Sequence, residues 1–195
     1  MTEGPVDVAT VLVRPVVPGD LHALDALLSS LDDQSRYRRW FTGAADVHRA
    51  AAWAAHPERQ DAVGLVATTP DGQLVGHAAL IPMDDARAEV CFEVAAPWRH
   101  HGIAGRLLAE LDRRAVRRGL TTLVAEVLPE NADMLAVMRE HGPCREHRED
   151  GVVEVTLPVG VRRPDALRSR SDPLGRRRDG PEYRPGHHRK LRSTT

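Results

Sequence analysis

Aromatic residues are scarce in this sequence, with three Trp, two Tyr and two Phe among 195 residues. A hydrophobic core must therefore be built mainly from Leu, Val, Ile and Ala. Four of the seven aromatic residues fall between positions 37 and 53. Such a cluster is more often the packing of helices on a sheet than the lining of a substrate groove.

Cysteine is scarcer still. Cys91 and Cys144 lie on separate strand-like stretches, and neither has partners at the spacing of a metal site. His187 and His188 are adjacent but have no further ligand near them in the sequence. The sequence therefore excludes a disulfide framework, and we expect reduced thiols and no bound metal.

Long hydrophobic runs are also missing. No stretch approaches the roughly 18 apolar residues that span a bilayer. The first ten residues, MTEGPVDVAT, have neither the cationic start nor the apolar run of a secretory or mitochondrial leader. We therefore expect a cytoplasmic protein with no membrane partner.

The net charge of -1 conceals an uneven distribution of charge. From residue 161 onward eleven Arg or Lys stand against four Asp or Glu, a balance of +7, which leaves -8 for residues 1–160. The same segment is rich in Pro, Gly and Ser. The sequence predicts one folded domain over 1–160 and a disordered basic tail over 161–195. Basic tails are more often solvated than bound, so nucleic acid is not an expected partner.

The stretch from 97 to 106, PWRHHGIAGR, joins a strand-like run to an amphipathic run. The first N–H groups of a helix have no partner within it, and the helix dipole places positive charge there, so this turn suits an anion such as phosphate. Gly102 and Gly105 would let phosphate approach the backbone, and Arg99 and Arg106 add positive charge. Ordinary helix capping also fits these ten residues, so the flanking segments must decide.

The flanking segments alternate between strand and helix patterns. A meander of strands leads into the 97–106 turn, and the helix after it connects two strands in a parallel βαβ unit. Strands are predicted over 10–17, 62–69, 73–83, 87–94, 121–128, 144–149 and 152–159. Helices are predicted over 20–31, 35–41, 46–56, 103–118 and 131–141, with Asp20 and Asn131 as N-caps and Gly119 as a C-cap.

This assembly resembles the GCN5-related N-acetyltransferase (GNAT) family over about residues 11–158. The resemblance is carried by AEVCFEV at 88–94, RHHGIA at 99–104 and NADMLAVMREHG at 131–142. Within the family, LSSLDDQSRYRRWF at 28–41 is most similar to the catalytic module of bacterial Pat-type protein-lysine acetyltransferases. The resemblance implies an α/β GNAT fold: a mixed, mostly antiparallel sheet of six to seven strands with splayed central parallel strands, flanked by about four helices.

Acetyl-CoA is the co-substrate that the resemblance implies. Its diphosphate would be held by the N–H groups at the start of the helix, and its pantetheine arm would pair with the backbone of the preceding strand. An N–H of that strand would also stabilise developing charge on the thioester oxygen. The expected cofactor-binding residues are Phe92, Val94, Arg99, His100, His101, Gly102, Ile103, Ala104, Gly105, Arg106 and Asn131.

The resemblance also implies a general base. Glu89 occupies the place of a carboxylate in similar enzymes and would take a proton from the amine, directly or through water. Glu93 lies on the same face of the strand and is the second candidate, and Glu126 is the third. The residue patterns alone favour a solvated Glu89 at the edge of the strand, with no catalytic role. Met138 stands where many relatives carry a Tyr that protonates the leaving thiolate.

An acidic domain suits a cationic amine acceptor, and the Pat-type resemblance favours a protein lysine. A polyamine or aminoglycoside-like acceptor remains an alternative. A catalytically weak acetyl-CoA-binding module is an alternative function, because the Met138 side chain has no proton to give. A dinucleotide-binding domain, with Glu126 on the ribose, is disfavoured because the turn lacks three spaced glycines and no further βα units follow.

Overall fold

The computed structural model describes residues 10–42 and 44–162. The strands are Leu12–Pro15 (β1), Val63–Thr68 (β2), Leu74–Pro82 (β3), Arg87–Val94 (β4), Thr122–Val127 (β5), Arg145–Glu149 (β6) and Val152–Pro158 (β7). The α-helices are Leu21–Ser29 (α1), Asp33–Trp40 (α2), Val47–Ala54 (α3), Ile103–Arg117 (α4) and Ala132–His141 (α5). The described residues thus hold five α-helices, where the resemblance implied about four.

All seven strands form one sheet in the order β1-β2-β3-β4-β5-β7-β6. The pair β4 and β5 is parallel, and every other neighbouring pair is antiparallel. Helix α4 connects the two parallel strands, as the βαβ pattern predicted. The mixed, mostly antiparallel α/β sheet is therefore confirmed.

The two parallel strands separate soon after they begin. They pair only over Arg87–Glu89 and Thr122–Val124, although β4 continues to Val94 and β5 to Val127. On its far side β5 stays paired with β7 along its whole length. A gap therefore opens in the middle of the sheet, between the second halves of β4 and β5.

One core lies between the sheet and helices α4 and α5. The apolar face of α4, repeated at helical spacing, places Leu107, Leu108 and Leu111 against buried strand residues such as Leu80 and Leu123. All five of these side chains have no exposed surface. Truncating one such Leu to Ala costs about 2–5 kcal/mol, so this packing fixes α4 and hence its N-terminal turn.

A second core covers the opposite face of the sheet. Helices α1 and α3 pack Leu24, Leu28, Ala51 and Ala54 against Val66 of β2. Helix α2 extends from this layer across the end of β4. The two faces of β4 are consequently covered by different helices, α4 on one side and α2 on the other.

The predicted C-cap at the end of α4 is confirmed, whereas the predicted N-cap at the start of α1 is corrected. Gly119 follows α4 with a φ of +74°, as a C-cap does, and Asp150 and Gly151 both have positive φ in the β6–β7 hairpin. Asp20 does precede α1, but its carboxylate accepts bonds from Arg14 and the Val17 N–H rather than capping α1. An ion pair with a neighbouring strand outcompetes the cap there.

Contacts with α4 are also made by residues next to position 160, the predicted end of the folded domain. Arg162 donates to the Asp112 carboxylate at 3.2 Å and to the Ala109 carbonyl at 2.7 Å. The Gly160 N–H also donates to Asp112, at 2.8 Å. Arg162 thus binds α4, and the rest of the predicted tail, with His187 and His188, lies outside the described residues.

Within the described ranges, none of the helices combines the length and the apolar character needed to cross a membrane.

Candidate active site

A cleft of about 380 Å³ occupies the gap between β4 and β5. Its walls are the unpaired half of β4, the end of β5, the start of α4, the inner face of α5 and part of α2. Backbone groups of β4 from Val90 to Val94 have no strand partner on this side. The cleft can therefore pair an extended, amide-containing ligand with the strand.

The loop before α4 holds two residues in the left-handed region, His100 at φ +61° and Gly102 at φ +78°. Gly102 is the N-cap of α4, and no side chain caps the first N–H groups of the helix. A Cβ placed on Gly105 would meet nothing within 4 Å. The start of α4 thus presents open N–H groups and positive dipole charge, which fits a phosphate-bearing ligand.

The structure divides the predicted cofactor-binding residues into two groups. The cleft is lined by Phe92, Val94, Arg99, His100, Gly102, Ile103, Ala104 and Asn131. His101, Gly105 and Arg106 lie outside this lining. Arg106 is exposed and donates to the Val11 carbonyl, because the helix turns its side chain toward the segment before β1.

Arg99 lines the cleft and also connects two of the elements that form its walls. Its guanidinium donates to the Val94 carbonyl at 3.1 Å and to the Ser35 hydroxyl at 2.9 Å, and lies 3.5 Å from Asp32. These contacts tie the end of β4 to the first turn of α2. Part of its charge is therefore used within the protein.

Asn131 is the N-cap of α5, as predicted, and its Oδ1 accepts from the Met134 N–H at 3.4 Å. Met138, seven residues later, is completely buried and also lines the cleft. A thioether has no proton to give. The wall that α5 contributes is thus apolar where the family pattern often carries a hydroxyl.

Strand β4 presents three acidic or thiol side chains on the face covered by α2, namely Glu89, Cys91 and Glu93. The alternate residues Ala88, Val90 and Phe92 belong to the core under α4. Glu89 is half-buried, lines the cleft, and has no hydrogen-bond or ion-pair partner among the described residues. Its carboxylate is consequently free to meet a ligand in the cleft.

Glu93 has a very different environment. It is 5% exposed and accepts bonds from Arg39 Nε and from His77 Nδ1, the latter at 2.8 Å. Burial alone would raise the pKa of Glu93, but the interactions with Arg39 and His77 outweigh it and lower the pKa to about 2. A carboxylate held this way is a poor proton acceptor at neutral pH, which disfavours the second candidate base.

Cys91 also touches Arg39, which donates to its Sγ at 2.9 Å. Burial raises the pKa of the Cys91 thiol to about 12, even though Arg39 opposes that shift. A thiol of this kind does not ionise at neutral pH and cannot act as a nucleophile. Both cysteines are free, as expected from the sequence.

Glu126, the third candidate base, is exposed on β5 and borders the same cleft. The Arg39–Glu93–His77 cluster was not predicted from the sequence. His77 and Glu93 lie directly opposite each other on the antiparallel strands β3 and β4, so the register of the predicted meander could have indicated that pair. Arg39 reaches them from a separate helix, and no local sequence signal indicates that contact.

Comparison with known proteins agrees with this geometry. The profile of the acetyltransferase (GNAT) family matches residues 26–142, which include the loop before α4, both splayed strands and α5. The chain belongs to the GNAT family. No curated protein gives a significant match to it.

Solved structures similar to this GNAT chain include the GNAT domain of PAT from S. lividans. That domain is 30% identical, with a TM-score of 0.65, and the match covers 75% of this chain and 89% of that one. The ribosomal-protein-alanine N-acetyltransferase from Brucella melitensis is 25% identical, with a TM-score of 0.58, over 75% of this chain and 99% of that one. The spermidine N-acetyltransferase from Vibrio cholerae, solved with CoA and spermine, shares the fold at 17% identity and a TM-score of 0.58, over 77% and 96% of the two chains.

The described part of this GNAT chain holds no group of three or more His, Cys, Asp or Glu arranged to bind a metal.

Proposed function

We propose that this chain transfers the acetyl group of acetyl-CoA to a primary amine, with a protein lysine as the acceptor and Glu89 as the general base. The observation that carries the proposal is a single continuous cleft. It runs from the uncapped start of α4, through the gap between β4 and β5, to the carboxylate of Glu89, which accepts no hydrogen bond within the described residues and is attracted electrostatically by Arg39.

The residues of the cleft fit acetyl-CoA. The diphosphate would accept hydrogen bonds from the N–H groups of Ile103, Ala104 and Gly105, helped by the positive end of the α4 dipole. The pantetheine amides would pair with β4 backbone groups near Phe92 and Val94, where β5 has diverged. Acetyl-CoA supplies the acetyl group as a reactive thioester.

The acceptor amine must lose a proton before it can attack, because a free lysine has a pKa near 10.4. Glu89 would accept that proton, directly or through one water, as the nitrogen bonds to the carbonyl carbon and the carbon–sulfur bond breaks. A β4 N–H would donate to the carbonyl oxygen as charge develops on it. Because Met138 has no proton to give, the thiolate would take one from solvent.

The preference for lysine rests on the similarity of residues 28–41 to Pat-type protein-lysine acetyltransferases and on the 30% identity to the GNAT domain of S. lividans PAT. The similarity to the Vibrio cholerae spermidine N-acetyltransferase extends to the fold alone. Small amines are therefore the second acceptor class to assay.

Met138 favours one competing function, a module that binds acetyl-CoA but transfers acetyl slowly. The two functions differ in one observable. A binding module would hold acetyl-CoA and acetylate none of a panel of lysine peptides, spermidine and aminoglycosides.

The test is transfer of labelled acetyl from acetyl-CoA to that panel by the wild-type chain and by Glu89→Gln. Loss of a general base should lower kcat by about 100-fold or more and leave the acetyl-CoA affinity within about twofold. Glu126→Gln tests the third candidate base in the same cleft, and Glu154→Gln is the control, since Glu154 is an exposed carboxylate of β7 outside the lining of the cleft. An unchanged kcat and pH–rate profile in Glu89→Gln would remove Glu89 as the base.

A further inference from the structure

Helix α2 carries three arginines, and two of them donate hydrogen bonds to other groups of the protein. Arg36 donates to the carbonyls of Leu31 and Ser29, each at 2.9 Å. Arg39 donates to Glu93 and Cys91. Arg38 has no hydrogen-bond or ion-pair partner among the described residues, although its Nε is buried.

Arg38 lines the same cleft as Glu89. The other cations of the lining have acidic neighbours: Arg39 contacts Glu93, Arg99 lies 3.5 Å from Asp32, and His100 lies 3.9 Å from Asp133. Within the described chain Arg38 is thus the one cation of the cleft with no carboxylate beside it. A guanidinium in such a site is normally hydrogen-bonded, and because Arg38 as a whole is only half-buried, its terminal nitrogens can bind an anionic group that a ligand brings.

The position of Arg38 points to the acceptor more than to the diphosphate of acetyl-CoA. Helix α2 contacts β4 on the face that carries Glu89, Cys91 and Glu93. Helix α4, whose start would hold the diphosphate, covers the opposite face of β4. Helix α2, which carries Arg38, therefore lies on the same face of β4 as Glu89, and both residues line the cleft.

We propose that Arg38 is a specificity-determining residue that binds a carboxylate of the acceptor, so that the preferred acceptors are amines that also carry a carboxylate. This inference rests on the proposed function, because it assigns the acceptor class of the same cleft. Glu89 would meet the amine and Arg38 the carboxylate. The planar guanidinium can form two parallel hydrogen bonds with a carboxylate.

Two sources supply this chemistry, the α-carboxylate of a free amino acid and an Asp or Glu side chain beside a lysine in a protein. Both contain an amine and a carboxylate held at a short distance. A polyamine contains only cations and would leave Arg38 facing a like charge. The proposal therefore separates the two acceptor classes that the proposed function leaves in competition.

The test compares matched probes that differ only in the carboxylate. One pair is Nα-acetyl-lysine and its C-terminal amide, and the other is the capped tripeptides Gly-Lys-Asp and Gly-Lys-Asn, with spermidine as the cationic probe. Each is titrated calorimetrically into full-length protein saturated with CoA, which requires no turnover. The variants are Arg38→Gln and Arg38→Lys, and Arg148→Gln is the control because Arg148 is an exposed cation of edge strand β6.

The wild-type protein should bind the carboxylate member of at least one pair about tenfold more tightly than its neutral partner. Which pair shows the preference identifies the source of the carboxylate. In Arg38→Gln the preference should fall to about twofold or less while Arg38→Lys keeps part of it, and Arg148→Gln should keep all of it.

Equal binding of both members, binding of neither, or a preference that survives in Arg38→Gln would overturn the proposal. So would a loss of CoA affinity in Arg38→Gln with the acceptor preference intact, since Arg38 would then contact the cofactor. Acetyl transfer to the same probes is measured in parallel. Transfer without a carboxylate preference would refute only the role of Arg38, whereas a preference in binding without any transfer would refute only the proposed catalytic function.

Discussion

Two glutamates on one face of β4, four residues apart, have different surroundings. Glu93 is clamped by Arg39 and His77, which keep its pKa low. Glu89 faces the cleft without such a clamp. Glu93 is thus a structural carboxylate, whereas Glu89 can meet a ligand in the cleft. The alternation of side chains along the strand does not distinguish the two residues, because both lie on the same face.

The clamp on Glu93 predicts a stability effect. Glu93→Gln leaves the Arg39 guanidinium beside a neutral group in a buried site, and breaking a buried pair in this way costs about 3–5 kcal/mol. Chemical denaturation of the variant and the wild type measures the difference in the free energy of unfolding. A variant as stable as the wild type would contradict the structural role of the clamp.

The same clamp predicts how stability changes with pH. The folded-state pKa of Glu93 is about 2, below its ordinary value of 4.5, so the stabilisation is complete above pH 4.5 and is lost as the pH falls toward 2. Thermal melts between pH 6 and pH 2 should show a steeper loss of Tm in the wild type than in Glu93→Gln. Parallel curves for the two proteins would contradict this assignment.

Helix α4 can be predicted largely from the sequence. The spacing of Leu107, Leu108 and Leu111 fixes its buried face, and Gly102 and Gly119 mark its two ends. The splay of β4 from β5 was implied by the family resemblance and is confirmed, but no local sequence pattern indicates where the pairing ends, because that depends on how α4, α5 and α2 pack around the two strands. For the same reason the contacts of Arg38 and Arg39 could not be found in the local sequence pattern of α2.

The two ends of α4 provide a matched pair of variants. Gly102 and Gly119 have nearly the same φ, +78° and +74°, so replacing either with Ala imposes a similar strain of about 1–2 kcal/mol. Only Gly102 lies at the proposed diphosphate site. Gly102→Ala should therefore weaken acetyl-CoA binding by about tenfold or more, while Gly119→Ala lowers Tm similarly and binds normally.

Calorimetric titration of acetyl-CoA into both variants checks this expectation. An affinity equal to that of the wild type in both variants would mean that the start of α4 does not hold the diphosphate. The same loss of affinity in both variants would indicate a general effect of destabilisation.

Asp112 in α4 joins the segment after β7 to the helices of the domain. This buried carboxylate accepts from the Gly160 N–H and from Arg162, and lies 3.4 Å from His141 of α5. Burial alone would raise the pKa of Asp112, but these partners lower it. Composition placed the domain boundary at residue 160 and missed this contact, because Arg162 looks in sequence like the other arginines after it.

Asp112→Ala should therefore destabilise the fold by about 2–4 kcal/mol, since it removes the buried carboxylate that accepts from the Gly160 N–H and from Arg162 and that lies beside His141. Arg162→Ala should cost less, because Asp112 keeps its other partners. Denaturant titrations of the two variants show which of them loses more free energy of unfolding. A larger loss in Arg162→Ala than in Asp112→Ala would contradict it.

Binding of acetyl-CoA in the cleft between β4 and β5 can be measured by calorimetric titration of acetyl-CoA into the full-length protein. NADH, which also carries an adenine nucleotide and a diphosphate, is the control. We expect one site of roughly micromolar affinity for acetyl-CoA and no comparable binding of NADH. No binding of acetyl-CoA, or equal binding of the two compounds, would contradict this expectation.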